Sequence, residues 1–242
     1  MSSKNPIFSS SVIEKSPVAY GAPMTVQGAV QKSGALLALV CVGAAFSWNR
    51  ASSGGAELLI LVGAIVGVIS ALVTCFKKEW APVTAPIYAL FEGLLLGGVS
   101  AKLNAAYPGI ALQASMLTFG TLFGLLGAYR MGWIRATQQF KAIVIGGTMA
   151  VGLVYLVSMV ANLFGAQVPL IHDSGQVGIL FSLAVVVIAA MNLILDFDFM
   201  EQAAAAQLPK YMEWYAAFGL MVSLIWLYME ILKLLVKLAR RR

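Results

Sequence analysis

Carboxylates inside apolar segments are the residues of this sequence whose chemistry stands out. Glu92 lies within Tyr88-Ala-Leu-Phe-Glu-Gly, and two more acids, Asp196 and Asp198, lie within Asn-Leu-Ile-Leu-Asp-Phe-Asp-Phe. A fourth, Glu230, lies in the last apolar segment. An ionised side chain in apolar surroundings is costly, so each needs a partner, a water-filled cavity or a place near a polar boundary. Such acids commonly mark ion or proton pathways.

Helical periodicity limits which of these acids can face the same way. Residues two apart on a helix point in directions about 200° apart, so Asp196 and Asp198 cannot both face one interior cavity. Asp198 and Glu201 are three apart and share a face. Two interpretations remain open: one aspartate joins an interior pathway, or all three acids mark a membrane surface.

Glu230 belongs to a polar stripe on the last apolar segment. Ser223, Glu230, Lys233 and Lys237 follow one another at helical spacings and share one face. The stripe fits a local pair between Glu230 and Lys233, with the lysine reaching the surface. It also fits a carboxylate on a polar pathway. Glu92 has similar alternatives, a hydrogen bond between helices or a pathway position, and its central depth favours the pathway.

The elements that position these acids are predicted to be membrane-spanning helices. Of the 242 residues, 60% are hydrophobic and 11% are charged, whereas about 25% of an average soluble domain is charged. A spanning helix needs about 20 mostly apolar residues. The segments that satisfy this are 33–48, 56–76, 82–101, 108–129, 142–164, 177–201 and 214–235. The sequence therefore predicts an all-α fold, a polytopic membrane helical bundle over 29–242, after a flexible N-terminal tail over 1–28.

The basic residues predict a topology rather than a nucleic-acid partner, because they lie between apolar segments and not along one helix face. With the N-terminus in the cytoplasm, most lysines and arginines fall on the inner side and only Arg50 and Lys102 on the outer loops. Seven full spans would leave the C-terminal arginines, 240–242, outside. Either the last helix departs from the rule or it is re-entrant.

Small residues in the spans predict close helix contacts, because two glycines with three residues between them let two backbones approach in lipid. The pairs with this spacing are Gly63 and Gly67, Gly93 and Gly97, and Gly120 and Gly124.

Catalytic and cofactor motifs do not occur in the sequence. His172 is the only histidine and lies in a loop, so an HExxH zinc site is excluded. The sequence also lacks a GxSxG elbow, a Gly-rich phosphate loop and a dinucleotide fingerprint. We expect no enzymatic activity, no bound metal and no cofactor.

Four stretches carry a family resemblance: Asn5-Pro-Ile-Phe, the run from Pro82 to Gly93, the run from Asn192 to Phe199, and Tyr211-Met-Glu-Trp-Tyr-Ala-Ala-Phe-Gly. With them the chain resembles the Bax inhibitor-1/YccA-like family over nearly its whole length, in particular a bacterial branch with a longer N-terminal tail. The resemblance implies seven transmembrane helices with the last one central, in the bacterial inner (plasma) membrane. It also implies a pH-sensitive calcium leak or the modulation of a membrane-bound protease.

The family's leak is attributed to two aspartates, one late in the sixth helix and one in the seventh. They close the pore when they share a proton and open it when they separate or ionise. By this resemblance Asp198 is the first match to the sixth-helix aspartate and Asp196 the second. Ser223 stands where the seventh-helix aspartate belongs, and Glu230 is the acid nearest to it. A modified latch would pair Asp198 with Glu230 or with Ser223.

The latch is chemically reasonable, because two carboxylates in a low dielectric cannot both ionise cheaply and therefore titrate as a unit. Calcium prefers carboxylate and carbonyl oxygens. The expected function is a pH-sensitive calcium leak channel in the lipid bilayer. The alternative is a non-conducting regulator that binds a membrane protease or another integral protein.

Overall fold

The computed structural model describes residues 22–51, 55–164 and 175–241. These residues contain seven long α-helices and one short 3-10 helix, Lys78–Trp80. The long helices are α1 Val26–Ala51, α2 Ala56–Phe76, α3 Ala81–Ala106, α4 Ile110–Arg130, α5 Gln138–Leu163, α6 Gln176–Ala205 and α7 Met212–Arg240. All seven are long and apolar enough to cross a membrane. The predicted all-α bundle of seven transmembrane helices is confirmed.

Most of the helices extend past the apolar segments that predicted them. The first begins at Val26 and the last ends at Arg240, because hydropathy locates the hydrocarbon-facing part of a helix and not its polar ends. Residues 26–28 of the predicted tail therefore belong to α1. Residues 22–25 precede α1, and residues 1–21 lie outside the described part of the chain.

The last helix is one unbroken element of 29 residues. At 1.5 Å per residue it is about 43 Å long, more than the roughly 30 Å of a hydrocarbon core. A re-entrant turn within it is therefore excluded, and α7 is long enough to cross a hydrocarbon core. A larger share of α7 is buried than of any other described span.

The helices pack into two compact units, Met1–Gly98 with Asp198–Met221, and Val99–Phe197 with Val222–Arg242. In the first unit, glycines make the close contacts that their spacing predicts. A Cβ on Gly93 or Gly97 of α3 would collide with the α1 backbone at Val40 or Ala44. A Cβ on Gly63 of α2 would lie 2.6 Å from the carbonyl oxygen of Phe91.

The third pair of glycines departs from that pattern. Gly120 and Gly124 of α4 have no described neighbour within 4 Å of the position that a Cβ would occupy. Both residues are exposed. The spacing alone therefore indicates a face that permits close packing, and a partner helix has to be present on that face for the contact to form.

In the second unit, polar contacts fix α6 against α5 and α7 against α3. The Asn192 amide of α6 donates to the Thr148 hydroxyl of α5 over 2.8 Å. Ser100 on α3 and Tyr228 on α7 share a hydrogen bond of 2.7 Å. Because lipid offers no competing hydrogen bonds, such contacts define the rotation of each helix about its axis.

Candidate functional site

Asp196 and Ser223 are the two predicted site residues that the second unit brings into contact. Asp196 on α6 forms a side-chain hydrogen bond with the Ser223 hydroxyl on α7. Its other oxygen, Oδ2, is buried and accepts no hydrogen bond from any described residue. The α6–α7 contact therefore contains a carboxyl group of which only one oxygen is satisfied.

Asp198 lies on another side of α6. Its carboxylate accepts a hydrogen bond from Gln202, one turn further along the same helix, and this hydrogen bond is exposed. The expectation that Asp196 and Asp198 face different ways is thus met. The resemblance placed Asp198 first as the latch residue, but the acid that bonds to the Ser223 hydroxyl is Asp196. A role for Asp198 in a latch stays a prediction.

The residue one turn before Asp196 is a sequence signal for its position. Asn192 and Asp196 are four residues apart, so they lie on one helix face. Asn192 is turned toward α5 by its bond to Thr148, and Asp196 follows on the same side. A polar residue one turn before an acid in an apolar segment favours that acid as the one inside the protein.

Both carboxylate oxygens of Glu230 accept hydrogen bonds. It is 1% exposed, its Oε1 accepts from Lys233 Nζ over 2.9 Å, and its Oε2 accepts from the Tyr155 hydroxyl of α5 over 2.8 Å. The local pair that the spacing suggested is therefore formed. The same lysine lies 4.7 Å from the centre of the Tyr155 ring. Tyr155 had no signal in the sequence, since nothing local relates it to a residue on α7.

Glu92 on α3 lies against α2, where Gly67 leaves room for it. A Cβ on Gly67 would come within 2.6 Å of Glu92 Oε2, so the carboxylate occupies the space that a larger side chain would take. The glycine spacing on α2 predicted a close backbone contact. At Gly67 the glycine instead makes room for the Glu92 carboxylate, within the first unit.

Sequence reasoning missed a heavily bonded acid, Glu213 at the start of α7. It is 0% exposed and accepts from the Thr25 backbone N–H and hydroxyl over 2.9 and 3.1 Å. It also pairs with Lys32 and, over 2.7 Å, with Lys210. Lys210 is near in sequence, but nothing local connects Glu213 with Thr25 or Lys32, which belong to the start of α1.

Metal-binding potential is limited to isolated acids in the described part of the chain. No three histidine, cysteine, aspartate or glutamate side chains cluster there. His172 lies outside the described residues. The expectation of no resident metal or cofactor stays a prediction.

Seven apolar helices with carboxyl groups between them define a multi-pass membrane protein. The profile of the family described as Bax inhibitor 1 like matches residues 5–240. The chain therefore belongs to the Bax inhibitor 1 like family. Neither a curated protein nor a solved structure matches it significantly.

Proposed function

We propose that this protein is a pH-sensitive calcium leak channel of the bacterial inner membrane, with its N-terminus in the cytoplasm. In this proposal the contact between Asp196 and Ser223 closes the pathway, and ionisation of Asp196 opens it. The observation that carries the proposal is the buried Oδ2 of Asp196, which accepts no hydrogen bond from the described residues. Family membership supports it further.

The unsatisfied oxygen makes the contact sensitive to charge. An ionised carboxylate taken out of water without replacement hydrogen bonds costs several kcal/mol. A neutral acid avoids most of that cost and still bonds to the Ser223 hydroxyl, which can donate or accept. Once ionised, Asp196 gains by becoming hydrated or by binding a cation. Both require α6 and α7 to separate locally at this contact.

Replacement of the family's second aspartate by Ser223 changes the expected pH response. Two carboxylates sharing a proton titrate as a coupled pair, whereas one carboxyl group beside a hydroxyl loses a single proton. We therefore propose that one proton per chain controls this channel. The nearby Glu230 is already paired with Lys233, so Asp196 supplies the negative charge that attracts calcium at this contact.

A matched pair of variants tests the proposal in vesicles loaded with a calcium-sensitive dye. Asp196→Asn cannot ionise, so we expect its calcium flux to stay at the closed level at every pH. Asp198→Asn changes the same chemical group two residues away and should keep the wild-type pH dependence. If only Asp198→Asn abolished the pH dependence, the gate would have to be assigned to Asp198. If both variants behaved like wild type, the gating proposal would be wrong.

A second function, a non-conducting regulator of a membrane-bound protease or other integral protein, is favoured by one observation. Gly120 and Gly124 form a close-packing motif on α4 with no described helix against it. A transmembrane helix of a partner would fit such a face. Under this alternative Gly120→Leu should abolish co-purification of the partner and leave any calcium flux unchanged.

The N-terminal tail is the other candidate for partner binding, and the structure shows where to cut it. Deletion of residues 1–21 keeps Thr25, which bonds to Glu213, whereas deletion of 1–28 would remove that contact. Loss of the partner with the shorter deletion would assign binding to the tail. Retention of the partner after both this deletion and Gly120→Leu would contradict the regulator alternative in either form.

A further inference from the structure

A pocket of about 430 Å³ lies in the second unit near the C-terminal end of α7. Its basic residues are Lys233, Lys237 and Arg240, one turn apart on α7. Its apolar wall includes Met159 of α5 and Phe181 of α6. The volume is within the range of roughly 300–1,000 Å³ that is typical of small-molecule sites. The pocket therefore joins positive charge to an apolar surface.

Hydrogen bonds to other parts of the second unit hold two basic residues of the pocket, Lys237 and Arg240. Lys237 is 8% exposed, and its ammonium donates to the Gly178 carbonyl over 3.0 Å and to the Ser182 hydroxyl over 2.8 Å. Arg240 donates from Nε to the Tyr107 hydroxyl over 3.4 Å. A guanidinium has five N–H donors, so this contact leaves the forked end of Arg240 available to a ligand.

Ser158 is an independent indication of a ligand. It lines the pocket and is 8% exposed, yet its hydroxyl has no hydrogen-bond partner among the described residues. Serine and threonine in apolar helices usually bond to the carbonyl one turn back, as Ser115 and Thr118 do on α4. A buried hydroxyl without a partner costs about 1–3 kcal/mol, and a polar ligand atom in the pocket would remove that cost.

We propose that this pocket binds an anionic phospholipid. Lys233, Lys237 and Arg240 hold the phosphate of the headgroup, and the Ser158 hydroxyl donates to one of its oxygens. The acyl chain lies against Met159 and Phe181. Basic pockets between transmembrane helices bind anionic headgroups in this way, and charge-assisted hydrogen bonds to phosphate supply most of the affinity.

Charge and position favour a lipid over a soluble anion. Among the described residues, Glu230 adjoins the cations, and it is paired with Lys233 and bonded to Tyr155. Arg240 bonds to the neutral Tyr107 hydroxyl and so adds positive charge to the lining. Its lining includes the last turns of α7, where the apolar segment gives way to the terminal arginines, and such helix ends are where lipid headgroups meet a spanning helix. An apolar wall beside the cations fits a hydrocarbon chain, and a free phosphate would leave it uncovered.

Native mass spectrometry of the full-length protein in detergent tests the proposal with defined lipids. The probes are phosphatidylglycerol and phosphatidylcholine with identical chains, and inorganic phosphate alone. We expect phosphatidylglycerol to bind more tightly than phosphatidylcholine. Arg240→Gln should weaken its binding about tenfold, the effect of losing one charge-assisted hydrogen bond. Ser158→Leu should abolish binding by filling the pocket.

Arg135→Gln is the matched control, because Arg135 is an exposed arginine of the same unit and does not line the pocket. It should leave phosphatidylglycerol binding unchanged. Equal binding of the two lipids, or equal effects of Arg240→Gln and Arg135→Gln, would overturn the proposal. If inorganic phosphate bound alone and displaced the lipid at similar concentrations, the pocket would be an anion site and the lipid assignment would be wrong. Lys237 is unsuitable as a first variant, since its buried contacts hold α7 to α6.

Discussion

Glu213 should be the acid whose removal destabilises the protein most. Its carboxylate joins the start of α7 to the start of α1 through Thr25 and Lys32. It also forms an ion pair with Lys210. We choose Glu213→Gln, which keeps the shape of the side chain and an oxygen that can still accept from Thr25. The substitution therefore removes the charge and leaves the packing in place.

The expected loss follows from the exposure of each partner. Glu213 is 0% exposed and Lys32 is 21% exposed, so this pair is a largely buried charge-assisted contact of about 1.5–3 kcal/mol. Lys210 is 53% exposed, and its pair is therefore worth at most about 1 kcal/mol. Together these contributions predict that Glu213→Gln lowers the free energy of unfolding by about 2–4 kcal/mol.

Gly28 provides a second way to disturb the same cluster. A Cβ at this position would overlap the Glu213 carboxylate, so Gly28→Ala should cost about 1–3 kcal/mol by displacing it. The two substitutions act on one contact and should not be additive. In a Glu213→Ala background, which vacates the space, Gly28→Ala should cost less than it does in the wild type.

Reversible unfolding in mixed micelles, followed by circular dichroism, measures these free energies. Glu79→Gln is the control, because Glu79 is an exposed glutamate on the 3-10 helix and should change stability by less than about 0.5 kcal/mol. A loss for Glu213→Gln no larger than that of the control would refute the reasoning. So would full additivity of Gly28→Ala with Glu213→Ala.

Three further predictions concern helix packing and the gate. Gly97→Ala should destabilise the protein by about 1–3 kcal/mol, because the added Cβ overpacks against α1. Gly124→Ala should be neutral or stabilising, since its Cβ meets no described atom and alanine favours the helix. Unfolding in micelles distinguishes the two variants. Ser223→Asp restores a second carboxylate at the α6–α7 contact, so the calcium flux should reach half-maximum at a higher pH, because two acids retain a shared proton. Asn192→Leu removes the hydrogen bond to Thr148 and should lower the free energy of unfolding by about 1 kcal/mol. A smaller loss in the double variant Asn192→Leu with Thr148→Val than in Asn192→Leu alone would confirm the pairing.

The fold could be predicted from the sequence because its cause is local. A stretch of about 20 apolar residues can only span a bilayer as a helix, so hydropathy located seven candidate spans and left open whether the last one was re-entrant. The close contacts at Gly93 and Gly97 followed from the same reasoning. Gly120 and Gly124 have the same spacing but no described neighbour, since the presence of a partner helix is not encoded in the spacing itself.

The site could be predicted only in part, because the rotation of each helix depends on distant contacts. Periodicity established that Asp196 and Asp198 face different ways. Which of them meets Ser223 depends on how α6 packs against α5 and α7, and the Asn192–Thr148 bond contributes to that packing. The Glu230–Lys233 pair was predictable because its partners are three residues apart, whereas the Tyr155 contact to Glu230 joins two different helices.

Glu213 shows the same limit more strongly. Its partner Lys210 is visible in the sequence at a helical spacing, yet Thr25 and Lys32 are almost two hundred residues away along the chain. Long-range ion pairs of this kind are fixed only when the whole bundle has formed.

Calcium flux through vesicles containing the wild-type protein, measured as a function of pH, tests the central claim most directly. We predict a flux that rises with pH as Asp196 ionises, with the slope of a single proton, and that falls to the level of protein-free vesicles in acid. A flux that is absent at every pH, or present without any dependence on pH, would contradict a leak channel gated by Asp196 and Ser223.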